Sequence, residues 1–177
     1  VHSKSQTKEY KLLVNGNKEY DTSTGNYVFQ EQGHGRVLTR RDDDFVVFAD
    51  PITRDGFYHS SQIWKINRVI IQQQQQTTTK GNNNDDSKIC YTFTTYKDNQ
   101  TLTTDSSVVA DAESPMTFQI WNAEGTNDLM IYDQNKEFVW TTDFDGNIKM
   151  KESKDLYDYP FKLNGYSKST SLEDAKP

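Results

Sequence analysis

The side chains that could do acid–base or nucleophilic chemistry are few and dispersed. Histidine occurs at His2 in a polar N-terminal stretch, at His34 inside Gly33-His34-Gly35, and at His59 beside Tyr58. No Gly-x-Ser-x-Gly elbow, His-Glu-x-x-His pair or glycine-rich phosphate cradle is present. With 26 Asp and Glu residues, a paired-carboxylate glycoside hydrolysis stays open, because the distance between two carboxyls cannot be read from a sequence. Asp143-Phe144-Asp145-Gly146-Asn147 alternates oxygen-bearing side chains as a hard cation would require. It lacks the third acidic position and the distal Glu of a calcium loop, so a hairpin turn at Asp145-Gly146 is expected there. Asp42-Asp43-Asp44 is read as a solvated turn. Cys90 is the single cysteine, which excludes an intramolecular disulfide and a cysteine-based zinc site. Its neighbours Ile89 and Tyr91 make it a buried structural thiol. The expectation is a binding protein, not an enzyme, with no cofactor and no metal.

Elements of one kind must position whatever site there is. Short apolar bursts recur every eight to twelve residues between turn residues. They fall at Tyr27-Val28-Phe29, Arg36 to Thr39, Phe45 to Phe48, Gln62 to Ile66, Tyr91 to Thr95, Thr101 to Thr104 and Ser107 to Ala110. They continue at Thr117 to Trp121, Leu129 to Tyr132, Glu137 to Thr141, Asn147 to Lys151 and Phe161 to Asn164. Many alternate with period two and are rich in Val, Ile, Thr and aromatics, the signature of strands. No window carries a helical period. The spacing predicts an all-β barrel or sandwich. Only 33% of the chain is hydrophobic while 12% is aromatic, so the core must lean on Trp, Tyr and Phe.

Residues 26–166 read as a single domain, preceded by a segment 1–25 with one further strand candidate at Lys11 to Val14. The polar run 72–88, with Gln72 to Gln76 and Gly81-Asn82-Asn83-Asn84-Asp85-Asp86, reads as a surface insertion, because it cannot bury enough apolar area to offset its ordering entropy. Residues 167–177 read as a tail. A net charge of -6 without a basic stripe argues against nucleic acid as a partner, and no apolar run approaches the roughly 20 residues that span a bilayer. The chain opens at Val1, residues 1–9 are polar, and one glycosylation triplet stands at Asn99-Gln100-Thr101. A processed protein, secreted or at the cell surface, is expected on these grounds.

Three fragments line up internally. Leu38-Thr39-Arg40-Arg41, Leu102-Thr103-Thr104-Asp105 and Trp140-Thr141-Thr142-Asp143 each pair an apolar residue with Thr, and each is followed by a further strand. Each module then closes on an aromatic: Gln62-Ile63-Trp64, Gln119-Ile120-Trp121 and Pro160-Phe161. Modules at 26–69, 90–125 and 128–166 would carry four strands apiece. No four-stranded unit buries its apolar face alone, so three must share a core. That arrangement is a β-trefoil with pseudo-threefold symmetry. Trp64, Trp121 and Phe161 are then expected to meet in one interior.

The Gln-x-Trp closures, Leu102 to Thr104, and Arg54-Asp55-Gly56 leading to Gln62-Ile63-Trp64 resemble the ricin-B-type lectin repeat. The family's frequent disulfides are missing, and the third module carries Phe161 in place of Trp. Asp128-Leu129-Met130-Ile131-Tyr132-Asp133 with Phe138-Val139-Trp140 looks like one repeat of the bulb-type mannose lectins, which form a β-prism, the alternative fold. Both resemblances imply a sugar. Sugar recognition needs carboxylates or amides for vicinal hydroxyls and an aromatic face for the ring. The resemblance sets these on the loops before the closures: Asp50, Tyr58 and His59 in module one, and Asp155, Tyr157 and Tyr159 in module three. Module two offers Asp111 and Glu113 without an aromatic. The partners implied are glycans or a glycoprotein. The competing readings are a protein-binding trefoil, such as a protease inhibitor of the Kunitz soybean type, and an adhesion or cell-wall protein.

Overall fold

Strand follows strand along the chain, and alternate side chains of each divide between an inner and an outer face. The computed structural model describes residues 8–9, 13–14, 18–19, 26–71, 88–104, 107–110, 115–122, 129–152 and 161–174. The strands are β1 (Lys8–Glu9), β2 (Leu13–Val14), β3 (Lys18–Glu19), β4 (Asn26–Glu31), β5 (Val37–Arg40), β6 (Val46–Ala49), β7 (Thr53–Arg54), β8 (Phe57–Tyr58) and β9 (Trp64–Ile71). They continue as β10 (Lys88–Thr95), β11 (Gln100–Thr104), β12 (Ser107–Ala110), β13 (Phe118–Asn122), β14 (Leu129–Asp133), β15 (Phe138–Thr142), β16 (Ile148–Glu152) and β17 (Phe161–Gly165). The protein is all-β, and among the described residues the helical elements are two single 3-10 turns, Ser60–Gln62 and Leu172–Asp174. Residues 72–87, the bulk of the predicted insertion, lie outside the described residues.

Six strands close a barrel in the order β4-β9-β10-β13-β14-β17, with β17 returning to β4. Three hairpins stand off this ring: β5–β6, β11–β12 and β15–β16. The pleat explains the core. Tyr27 and Phe29 of β4 point inward while Val28 joins an outer cluster, and in β14 Leu129 and Ile131 point inward while Met130 and Tyr132 join another. The other barrel strands supply Trp64 and Ile66, Tyr91 and Phe93, Phe118 and Ile120, and Phe161 with Leu163 to the same inner cluster. Leu38, Leu102 and Trp140, the apolar residues of the three Thr motifs, close it from the hairpins, each at 0% exposure.

The ladder registers correct one expectation. Trp64 pairs with Tyr27 on one side and Thr95 on the other. Phe161 pairs with Leu129 and Glu31, and Phe118 with Tyr91 and Asp133. Phe118, not Trp121, therefore holds the ladder position that corresponds to Trp64 and Phe161. Trp121 lies on the outer face, half-buried against Met130, Tyr132 and Val139, with the Lys136 ammonium 3.5 Å from its ring centre. The two Gln-Ile-Trp tripeptides differ in backbone. Gln62 ends a 3-10 turn ahead of its strand, whereas Gln119 is already inside β13. Side chains alternate faces along a strand, so the offset sends Trp64 in and Trp121 out.

A second difference concerns the end of the chain. Residues 168–174, polar enough to read as a tail, pack on the body. Ser171 is fully buried, the Tyr96 hydroxyl donates to the Ser169 carbonyl at 2.8 Å, and Tyr166 donates to Thr170 at 2.7 Å. In the N-terminal segment β2 pairs with β3, and β1 lies along Trp121 and Asn122 of β13.

Candidate functional site

The β5–β6 turn is the feature around which polar side chains gather. Arg41 and Phe45 close it through a backbone bond of 2.8 Å, and Asp44 adopts a left-handed backbone with φ 71°. Arg40, at the end of β5, donates to Asp44 at 2.8 Å and to Asp98 of the β10–β11 turn at 2.5 Å. This guanidinium ties the turn of one hairpin to the turn before the next. A small hairpin, β7–β8, turns through Asp55 and Gly56, both at positive φ (53° and 84°), the backbone that a two-residue turn requires. It delivers His59, whose amide donates to Ile52 and whose Nδ1 accepts from the Ser61 amide at 3.2 Å.

The C-terminal segment supplies the remaining wall. Leu172–Asp174 forms a 3-10 turn whose Ser171 hydroxyl lies 3.0 Å from Asp174 and 3.2 Å from Glu173. Glu173 accepts from the Ser60 amide at 3.1 Å and stands 3.6 Å from His59 and 3.5 Å from Lys97. Burial alone would raise the Glu173 carboxyl. The hydrogen bonds from Ser60, with the charges of His59 and Lys97, outweigh it and bring the group down to about 2. These residues line a cleft of about 350 Å³, with Arg40, Arg41, Asp42, His59, Ser61, Thr95, Lys97, Asp98 and Glu173 on its walls. The volume is at the lower end of the ~300–1,000 Å³ typical of small-molecule sites.

The depressed carboxyl has a consequence for stability. A group with a folded value near 2 and an ordinary value of 4.5 contributes fully above the ordinary value, and the contribution fades as pH falls toward the folded one. The gap in denaturant midpoint between the native chain and Glu173→Gln should thus be present at pH 7 and close between about pH 4.5 and pH 2. A gap that stays constant over that range would contradict this role for Glu173.

Of the described residues expected to bind sugar, His59 alone lines the cleft. Asp50 is exposed, and its part is a backbone one: its carbonyl accepts from the buried Gln62 amide at 2.9 Å. Tyr58 packs in an outer apolar cluster with Val28, Val37 and Ile63, its ring edge-on to Tyr166 at 6.1 Å, and is not part of the cleft lining. Asp155, Tyr157 and Tyr159, with Asp111 and Glu113, lie outside the described residues. The sequence reading missed Ser60, Ser61, Lys97 and Glu173. A signal for the last existed in Ser171-Leu172-Glu173-Asp174, whose Ser-x-x-Asp pattern marks the start of a helical turn.

The Asp143 to Asn147 segment is a turn. Asp143 accepts from the amides of Asp145 and Asn147, each at 2.9 Å, and the bond from Asn147 foremost holds its carboxyl below the usual range. Gly146 sits at φ 90°, and a Cβ there would overlap the Phe48 carbonyl. Among the described residues no three His, Cys, Asp or Glu side chains converge as a metal site would need, and no helix is long and apolar enough to cross a membrane.

No family model and no curated protein matches the chain. Among solved structures it is similar to the GlcNAcα1-4Gal releasing endo-β-galactosidase from Clostridium perfringens, with a TM-score of 0.56 at 13% identity. The likeness covers 82% of this chain and 33% of the enzyme, so the chain spans about one third of that protein's length. At this identity the likeness is one of fold.

Proposed function

We propose that the chain is a β-trefoil that binds carbohydrate in the cleft beside the β5–β6 turn and does not turn its ligand over. The trefoil reading rests on the closed barrel built from the first and last strands of each module, with the middle two strands forming the hairpins. It is supported by the corresponding ladder partners of Trp64, Phe118 and Phe161. A continuous hydrogen-bonded ring favours it over the three separate sheets of a prism.

The observation that carries the function is the lining of the cleft. Guanidinium, ammonium, imidazole, hydroxyl and carboxylate groups face one small space. Sugar hydroxyls donate and accept at once, so a wall mixing both roles suits them. Glu173 is held below the usual carboxylate range, so it does not suit the role of the protonated acid that a glycosidase needs. The similar solved structure is named for an enzyme that releases a GlcNAc–Gal disaccharide, which agrees with a glycan ligand. Secretion or a cell-surface location would bring the chain to such ligands. A protein-binding reading draws on Phe144, 88% exposed at the β15–β16 tip; inhibition of a serine or cysteine protease would favour it.

A glycan array followed by titration tests the proposal. Binding above background is expected, weakened about tenfold by His59→Ala, roughly the worth of one good hydrogen bond, and unchanged by Asp50→Ala. An array without binders would refute it, as would equal binding by the His59 variant.

A further inference from the structure

Among the described residues no Phe, Tyr or Trp lines the cleft, although a sugar ring presents an apolar side as well as hydroxyls. A groove on the opposite flank of the same turn supplies one. It measures about 360 Å³ and is lined by Arg41, Asp43, Phe45, Val47, Asn147 and Lys149, among others. Phe45 is 50% exposed, a large apolar side chain left half in water in the lining of a groove of mixed polarity.

The two hollows share a wall. Arg41 lines both, Asp42 faces the cleft, and Asp43 with Phe45 faces the groove. The turn between them is held firmly. Asp43 accepts from Arg41 at 2.7 Å and from the Phe45 amide at 3.2 Å, which fixes the segment that presents the ring. The far side of the groove belongs to the β15–β16 hairpin. It is fastened to β6 by the Phe48 amide bond to Gly146 at 2.8 Å and by a bridge between Val47 and Asn147. The Arg36 guanidinium also reaches the Phe144 carbonyl at 2.9 Å. Neither wall depends on a ligand for its geometry.

We infer that cleft and groove form one track over the β5–β6 turn, and that the ligand is an oligosaccharide chain whose successive units occupy the two hollows. This rests on the carbohydrate reading of the cleft and extends it from a single sugar to a chain. The order of groups along the track supports that occupant. An extended anion would meet Asp42 and Asp43, and an extended cation would meet Arg41 and Lys149. A neutral polyhydroxyl chain finds an acceptor or a donor at each step and the Phe45 ring for stacking.

The test is titration of the intact chain with β-linked glucose, galactose and N-acetylglucosamine oligomers of about one to six units. Affinity is expected to rise about tenfold or more from monomer to the longer oligomers, as a second occupied hollow would require. Phe45→Ala and Asn147→Ala should each remove most of the rise while leaving monomer binding intact. His59→Ala should weaken monomer and oligomer alike. Because Phe45 and Asn147 are exposed, unchanged thermal unfolding of their variants separates lost contact from lost fold. Monomer bound as tightly as hexamer, or a rise that survives Phe45→Ala, overturns the track while leaving the cleft reading standing. Failure of every oligomer and monomer to bind overturns both.

Discussion

Replacing Trp140 by alanine is expected to cost about 3–5 kcal/mol, the upper range for a buried aromatic, whereas Trp121→Ala should cost about 1–2 kcal/mol. Trp140 is fully buried, and its ring lies 5.2 Å from Phe118, 5.9 Å from Phe93, 6.2 Å from Phe161 and 6.4 Å from Phe48. These partners come from all three modules, so truncation opens a cavity that no single strand can close by shifting. Among the described residues the Trp140 Nε1 has no hydrogen-bond partner, and Trp140→Phe removes that donor along with some volume. It should be far milder than alanine. Trp121 is only partly buried, and its loss gives up a cation–π contact of modest worth. Urea midpoints of the three variants are the check, and equal costs for Trp121→Ala and Trp140→Ala would contradict the packing described.

Arg36→Met should cost a similar 3–5 kcal/mol, because it strands a charge. Glu31, the last residue of β4, has a side chain 1% exposed and is held by two nitrogens of Arg36 and by the Thr142 hydroxyl at 2.7 Å. The same guanidinium reaches the Asp143 and Phe144 carbonyls, so one side chain both neutralises a buried carboxylate and ties β4 to the β15–β16 turn. For a chain of this size the loss corresponds to a fall in Tm of roughly 6–20 °C. The double variant Glu31→Leu with Arg36→Met should recover part of it, since a buried pair replaced by apolar groups is often close to neutral. Recovery fails to be complete if the Thr142 hydroxyl and the two carbonyls are left without partners. A single variant as stable as the native chain would show that the pair is not buried in solution.

The strands were legible because their alternation is strong. Tyr27-Val28-Phe29 and Leu129-Met130-Ile131-Tyr132 sit in strands that divide their side chains between two apolar clusters. The β7–β8 hairpin was not, because Thr53-Arg54 and Phe57-Tyr58 are two-residue strands, too short for a period to register. At the Thr motifs, Val37, Thr101 and Val139 pair with Gln30, Thr94 and Tyr132, and Leu38, Leu102 and Trp140, each one residue further on, are all fully buried. The Gln-Ile-Trp alignment misled because a tripeptide does not reveal whether its Gln precedes the strand or lies inside it, and the three-residue offset between Phe118 and Trp121, an odd number, exchanges the faces. The site was harder still. His59 was legible as the one histidine on a loop before a closure, but its partner Glu173, and the Lys97 that pairs with Glu173, come from distant segments that only the fold brings together. Asp50 and Tyr58 have suitable chemistry but do not line the cleft. One is used through its backbone and the other as packing.

Carbohydrate binding in the cleft is most directly tested by following the His59 ring and the Ser61 and Lys97 amides by NMR during titration with a sugar that binds on the array. The account predicts saturable shifts at these three residues, with the amides of β1 and of the outer face around Trp121 unmoved. Shifts confined to other parts of the surface, with His59, Ser61 and Lys97 silent at saturation, would contradict it.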